Sequence, residues 1–355
     1  MSPEFTADAA ADRKVRSDLD TILPIIRRML DPEAVILFGG FGQGEGSFRK
    51  DDRGVRPLND YDLYAVTRKI PPERIVSAVE EKCSRALGRG GKEFVRHFNS
   101  PYDSDAFFHV DLRCVRRKQL MNPWPTQRAF DLKHSRVVFG NASLLRDMPR
   151  VTVSDADALR LLFNKLNHFA ISADKGSEIR SVYAVKGFTD LCSALLIRSG
   201  KYVSGYGRRA EVMEGLDIPD ELREYMRTAT HAKLQCGYRV CDPDAFYNAS
   251  RQWVEWTLRR VLTQVLGTGE TEWPALCRAM YRRLPRIYFN DYLGSRFLFP
   301  AQYYLNLRFF LAGLGEKERL WPALLRWRDS GLIIATALML YSFGHPEEAA
   351  VYLRK

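Results

Sequence analysis

Residues 35–66 read VILFGGFGQGEGSFRKDDRGVRPLNDYDLYAV, and the expected fold is organised around them. An apolar run, Val35 to Phe38, meets a turn dense in glycine (Gly39, Gly40, Gly42, Gly44 and Gly46). A polar excursion follows, and a second apolar run returns carrying Asp60 and Asp62. Side chains alternate faces along a strand, so residues two apart share one. Asp60 and Asp62 are therefore expected to project together, with Tyr61 and Leu63 behind them. Adjacent carboxylates repel unless a cation lies between them, and hard oxygen donors of this kind suit Mg²⁺. Glycines at the end of the preceding strand let backbone N–H groups approach a phosphate closely. The pattern is that of a site for a metal-bound nucleotide.

A third acid extends it. In AFFHVDLRCV, residues 106–115, alternation puts Phe108, Val110, Leu112 and Cys114 on one face and His109, Asp111 and Arg113 on the other. A lone carboxylate in such a strand needs a partner, because charged groups are rarely buried without one. Arg113 at a sheet edge would serve. Beside Asp60 and Asp62, shared metal ligation is the preferred expectation.

Upstream, apolar positions from Val15 to Leu30 recur at helical period over 13–30, with Pro24 expected to kink or divide the helix. Residues 43–59 are expected to form a polar loop. Downstream come an amphipathic helix over 73–88 and strands at 92–98 and 106–115. From 155 the pattern turns helical (155–171, 178–198, 219–235 and 244–266), broken by Gly176, Gly200, Gly205, Gly207, Pro219 and Pro243. The fold class expected is α/β (α+β) with a mixed sheet, followed by an all-α C-terminal region. The expected domains are 1–150, 151–270 and a helical extension over 271–355.

At 355 residues, with 46% hydrophobic and 27% charged residues, the chain has the composition of a soluble globular protein. No apolar run approaches the roughly 18 to 20 residues of a membrane span. The longest, Leu332 to Tyr341, suits a buried helix. The start shows no signal peptide, and six scattered cysteines suit reduced thiols, so a cytoplasmic location is expected. His231, Cys236 and Cys241 fit no common zinc spacing. Met1 to Phe5 (MSPEF) have the look of an expression remnant and are left outside the expected fold. The net charge of +11 favours anionic partners.

The paired glycines, the Asp60-Tyr61-Asp62 element and the later strand acid Asp111 together resemble the signature of the DNA polymerase β-like nucleotidyltransferase superfamily. The likeness covers roughly residues 20–115. It departs from the superfamily pattern in two ways: Gly40 stands where serine is commoner, and the stretch between Gly40 and Asp60 is long. No GxxxxGK[ST] loop, GxGxxG fingerprint or kinase set competes with it. The resemblance implies that residues 1–150 form a nucleotidyltransferase domain and that Asp60, Asp62 and Asp111 are its catalytic metal ligands. Two Mg²⁺ ions, with Mn²⁺ as an alternative, would then serve in-line transfer of a nucleoside monophosphate from a nucleoside triphosphate, expected to be ATP. Gly39, Gly40, Gly42 and Gly44 would cradle the nucleotide.

Residues 183–209 (YAVKGFTDLCSALLIRSGKYVSGYGRR) resemble the helical half of small bacterial nucleotidyltransferases similar to kanamycin nucleotidyltransferase. By that likeness 151–270 completes the nucleotide cleft, and Lys186, Ser204 and Arg208 contact the triphosphate. Lys165 and His168 are alternatives. A small hydroxylated acceptor is the first expectation. RNA or a protein is the second, in view of the basic charge and of the aromatics interleaved with arginine at 278–309. A non-catalytic binding module is the third.

Overall fold

The computed structural model describes residues 4–52, 54–58, 60–88, 110–172, 175–269, 271, 276 and 279. The strand expected at 92–98, residues 106–109 with His109, Cys277 and nearly all of the expected 271–355 extension lie outside them. That extension includes Arg278, Arg282, Arg283, Arg286 and the run 332–341. The described residues fall into two compact units.

The first unit takes in the described residues up to Val153, with Val203–Glu211 and Thr230–Arg239. Helix α1 (Ala9–Leu30) opens it, begun by Asp8, whose side chain accepts from the Ala10 and Ala11 N–H groups. The helix runs through Pro24 without a boundary. Strand β1 (Ala34–Leu37), a short helix α2 (Gly39–Gly42), β2 (Phe48–Asp51), β3 (Gly54–Pro57) and β4 (Tyr61–Val66) follow. Then come helix α3 (Glu73–Ala86), β5 (Val110–Val115), α4 (Arg117–Leu120), α5 (Gln127–Lys133), β6 (Arg136–Gly140) and α6 (Leu144–Asp147). The main sheet has the order β5-β4-β1-β6. It is mixed: β4 and β5 run parallel, whereas β1 is antiparallel to both β4 and β6.

Two features depart from the expected loop and strand pattern. The polar stretch 43–59 contains the antiparallel hairpin β2–β3, in which exposed charged residues alternate too weakly to read as strands. The strand β6 was not anticipated: its apolar run, Val137 to Phe139, is only three residues long and has no alternation to mark a strand.

One sheet face packs on α1 and α3. Val15, Leu19, Ile22 and Ile26 of α1 meet Val35, Leu37, Tyr61, Leu63, Val110 and Leu112 in one buried cluster. Tyr61 is fully buried, and its hydroxyl donates to Asp18 Oδ2 on α1 at 2.9 Å. A buried phenol needs such an acceptor, so this bond also fixes how α1 lies against β4.

Phe5 is part of this core, contrary to its exclusion from the expected fold. Phe5 is 3% exposed. The Phe5 and Thr6 N–H groups donate to Asp12 Oδ1 at 3.0 and 2.7 Å, and Gly46 N–H donates to Phe5 O at 2.8 Å. A segment with an unremarkable sequence is held by a buried carboxylate on α1 and by backbone pairing with the glycine turn.

The second unit holds Ser154–Tyr202, Val212–Ala229 and the described residues from Val240 on. It contains helices α7 (Asp155–Ser172), α8 (Ser177–Arg198) and α11 (Pro243–Leu266); α9 (Tyr206–Met213) and α10 (Asp220–Gln235) contribute to both units. Helix α8 is buried on nearly every side. A Cβ on Gly187 would lie 2.3 Å from Ser250 Oγ of α11, so this glycine sets how closely the two helices pack. No described helix is long and apolar enough to cross a membrane.

Truncating Phe5 should leave a cavity against α1 and the glycine turn, so Phe5→Ala is expected to cost about 3–5 kcal/mol. Urea unfolding measures it; a loss below about 0.5 kcal/mol, the level of an ordinary surface substitution, would mean the segment is not part of the core.

Candidate metal centre

The site begins with pairing. β1 and β4 align so that Leu37 faces Leu63, and just beyond them the Phe38 N–H donates to Asp62 O at 2.8 Å. This brings the start of the glycine turn against Asp62. Gly39 has φ +69°, and a Cβ there would stand 3.1 Å from Asp62 Oδ2. A side chain at Gly39 would therefore suffer both backbone strain and crowding by the acid. Gly40 lies against the Glu45 carbonyl and Gly42 against that of Leu37, while Gly44 sits by the Glu4 carbonyl. The four glycines form one tight turn beside the acid.

The parallel register pairs Asp62 with Asp111 across β4 and β5. Tyr61, Leu63, Val110 and Leu112 point into the core, so Asp62 and Asp111 emerge on the opposite face, joined by Asp60 just before β4. Each of the three acids offers one carboxylate oxygen, and these atoms lie within 4.8 Å of one another. The donor set fits a hard cation: about 2.1 Å to each oxygen allows ligand atoms up to about 4.2 Å apart, a small rotamer adjustment away. Arg113, the alternative partner, reaches Asp111 only at 4.0 Å and is itself largely exposed.

Among the described strands β5 lies at the edge of the sheet, and α3 accepts from two of its N–H groups. Leu112 N–H donates to Glu80 Oε1 at 2.8 Å and Val110 N–H to Ser84 Oγ at 3.2 Å. Glu80 is 4% exposed. These two bonds hold the strand on either side of Asp111. Sequence reading missed Glu80, because a carboxylate within a helix looks like a solvated position.

Electrostatics make the acids uncomfortable neighbours. Burial, then the charge of Asp60, pushes the Asp62 carboxyl up to about 7; Asp111 adds to this, and Arg128 and Arg113 oppose it. Arg128, on α5, places Nη2 3.6 Å from Asp62 Oδ1. It too was missed, since 116–150 carries no motif. The available signal was Thr126, whose hydroxyl accepts from Ala129 N–H at 3.2 Å and starts the helix.

Of the other expected nucleotide contacts, Ser204 and Arg208 belong to the first unit. Glu45, from the glycine turn, accepts from the Tyr206 N–H and, at 3.0 Å, from Gly207 N–H, fastening the start of α9. Arg208 is exposed. Its neighbour Arg209 is 2% exposed, donates to Asp131 Oδ2 at 2.7 Å and to Val203 O at 2.9 Å, and is structural. Ser204 Oγ is shielded from solvent and makes no hydrogen bond.

Lys186 lies half-buried on α8 in the second unit. Lys165, 3% exposed, pairs with Asp190 and approaches His168 Nδ1 at 3.0 Å. Burial, then the charges of Lys165 and Lys186, hold the His168 pKa well below its ordinary value. The ring is therefore neutral at pH 7; burial also lowers the pKa of Lys165 beside it, while Asp190 opposes that shift.

No protein-family model and no curated protein matches the chain.

The raised Asp62 pKa fixes a sign. Between about pH 4 and 7 the folded chain holds a proton that the unfolded chain releases, so without a cation this group's contribution to stability falls as pH rises. A divalent cation must displace that proton below pH 7 and meets none above it. Saturation with Mg²⁺ is thus expected to raise Tm more at pH 8 than at pH 6, read by scanning calorimetry. An equal or larger rise at pH 6 would contradict the assignment of Asp62 as a ligand.

Proposed function

We propose that the chain is a nucleotidyltransferase of the polymerase β-like type, moving a nucleoside monophosphate from a triphosphate, expected to be ATP, to an acceptor hydroxyl. One observation carries the reading: three carboxylates, Asp60 just before β4, Asp62 on β4 and Asp111 on the adjacent β5, each bring an oxygen within 4.8 Å of the others beside a tight glycine turn. Like charges gathered on one face repel one another, and a shared cation is the partner that relieves all three.

Asp60, Asp62 and Asp111 would hold Mg²⁺ or Mn²⁺, which when bound neutralises the triphosphate and lowers the pKa of the acceptor hydroxyl. The rest of the proposed chemistry belongs to the chain. The glycine turn admits the phosphates close to Asp62 because no Cβ intervenes. Asp111, anchored on β5 by the Glu80 and Ser84 bonds, takes the acceptor proton on a carboxylate oxygen. The acceptor oxygen forms a bond to the α-phosphorus as the bond to pyrophosphate breaks, and pyrophosphate leaves. Arg208, exposed in the same unit, is a further donor for the phosphates.

The acceptor is proposed to be a small hydroxylated molecule. The net charge of +11 supports a second reading in which it is RNA. Salt separates the two: binding to a polymer weakens steeply as salt rises, and binding of a small neutral acceptor does not.

Asp111→Asn should fold normally and lose nucleotidyl transfer by about 10³-fold or more, on the scale of removing a general base together with a metal ligand. The assay is release of pyrophosphate from labelled ATP with Mg²⁺ and a panel of acceptors. An Asp111→Asn protein as active as the natural chain would sink the mechanism.

A further inference from the structure

Arg128 belongs to no motif, yet its surroundings are specific. Its helix is fixed from both ends. Thr126 caps the start, and Asp131, 4% exposed, accepts from Gln127 Nε2 at 2.8 Å and from Arg209 Nη2 at 2.7 Å. The guanidinium then lies over two aromatic rings, 5.2 Å from the Phe38 centroid and 5.6 Å from that of Tyr64. Those rings meet edge to face at 5.7 Å. An arginine seated in this way keeps its plane and has little side-chain entropy left to lose.

Its charge, however, is only loosely engaged. The contact to Asp62 Oδ1 is 3.6 Å, an ion pair rather than a hydrogen bond, and a third of the side chain is open to solvent. Phe38, on which it rests, is the residue directly before Gly39. The guanidinium therefore stands at the mouth of the glycine turn, on the side of Asp62 that Gly39 does not occupy. A rigid, partly exposed fork of donors suits a tetrahedral oxyanion, which it can meet with two parallel hydrogen bonds. An arginine serving only to steady Asp62 would be expected to close on it at about 2.8 Å.

We propose that Arg128 is a phosphate-binding residue, donating to the phosphates of a metal-bound nucleoside triphosphate held against the Gly39–Gly42 turn. The assignment rests on the proposed nucleotidyltransferase reading. It adds a contact from α5, on the sheet side of the site, that the glycine turn and the three acids do not supply.

Isothermal titration of the full chain with ATP in saturating Mg²⁺, and separately with Mg²⁺ alone, tests it. Arg128→Ala is expected to weaken ATP–Mg²⁺ binding by about 10- to 100-fold, the scale of hydrogen bonds to a charged group. Binding of Mg²⁺ alone should change by less than about threefold, because the three acids are untouched. Arg128→Lys restores the charge without the fork and should recover only part of the loss. Arg128→Gln, which keeps a planar group over the rings, replaces the alanine variant if that one fails to fold. Unchanged ATP–Mg²⁺ binding in the variants would overturn this assignment and leave the proposed function standing. Parallel loss of Mg²⁺ and ATP–Mg²⁺ binding would also overturn it, showing that Arg128 acts through Asp62. Failure of the natural chain to bind ATP–Mg²⁺ at all would overturn the proposed function itself, and this inference with it.

Discussion

Three carboxylates held within a few ångströms of one another, in a site partly shut off from water, form an arrangement that repels itself. The surrounding fold has to hold it together. Parallel pairing of Tyr61–Val66 with Val110–Val115 does this directly, because the register that buries Leu63 and Leu112 also sets Asp62 beside Asp111. A slip of one residue would turn every side chain of one strand to the opposite face. The acids and the core therefore cannot be repositioned independently. The raised pKa of Asp62 is the electrostatic signature of this constraint, and a divalent cation is the simplest way to relieve it.

The strands are themselves held by buried polar contacts rather than by apolar packing alone. Tyr61 is tied to Asp18, and the edge strand is tied to Glu80 and Ser84. Glu45 fastens the segment around Tyr206 to the glycine turn. Arg209 and Asp131 form a buried ion pair that joins that segment to the helix carrying Arg128. Lys233 is buried as well, donating to the Tyr238 hydroxyl at 2.9 Å and lying 4.3 Å from the Tyr206 ring centroid. Removing one partner from any such pair strands the other in a poorly solvated place, which costs far more than an exposed pair is worth. The turn beside the acids is thus braced by charges from residues far apart in the chain.

The second unit also encloses ionisable groups. Lys165 is buried and paired with Asp190, His168 is neutral, and Lys186 lies one helical turn before Asp190. Ionisable groups are rarely enclosed in a helical bundle without a partner.

The sequence alone determined the local elements and the composition of the site. Alternation along 60–66 and 110–115 put the acids on one face of each strand. Helical period placed the long helices to within a residue or two: 155–171, 178–198, 219–235 and 244–266 against Asp155–Ser172, Ser177–Arg198, Asp220–Gln235 and Pro243–Leu266. These features depend on neighbours within a few positions, which is the information a sequence carries in plain form. Tertiary structure alone decided which strands pair and in what register, and that Arg209 rather than Arg208 is buried. It also decided that Phe5 joins the core, that Glu80 accepts from the backbone of β5 and that Arg128 lies beside Asp62. Each of those outcomes depends on partners tens of residues away, and a charged side chain has the same appearance in a sequence whether water or a buried ligand site awaits it.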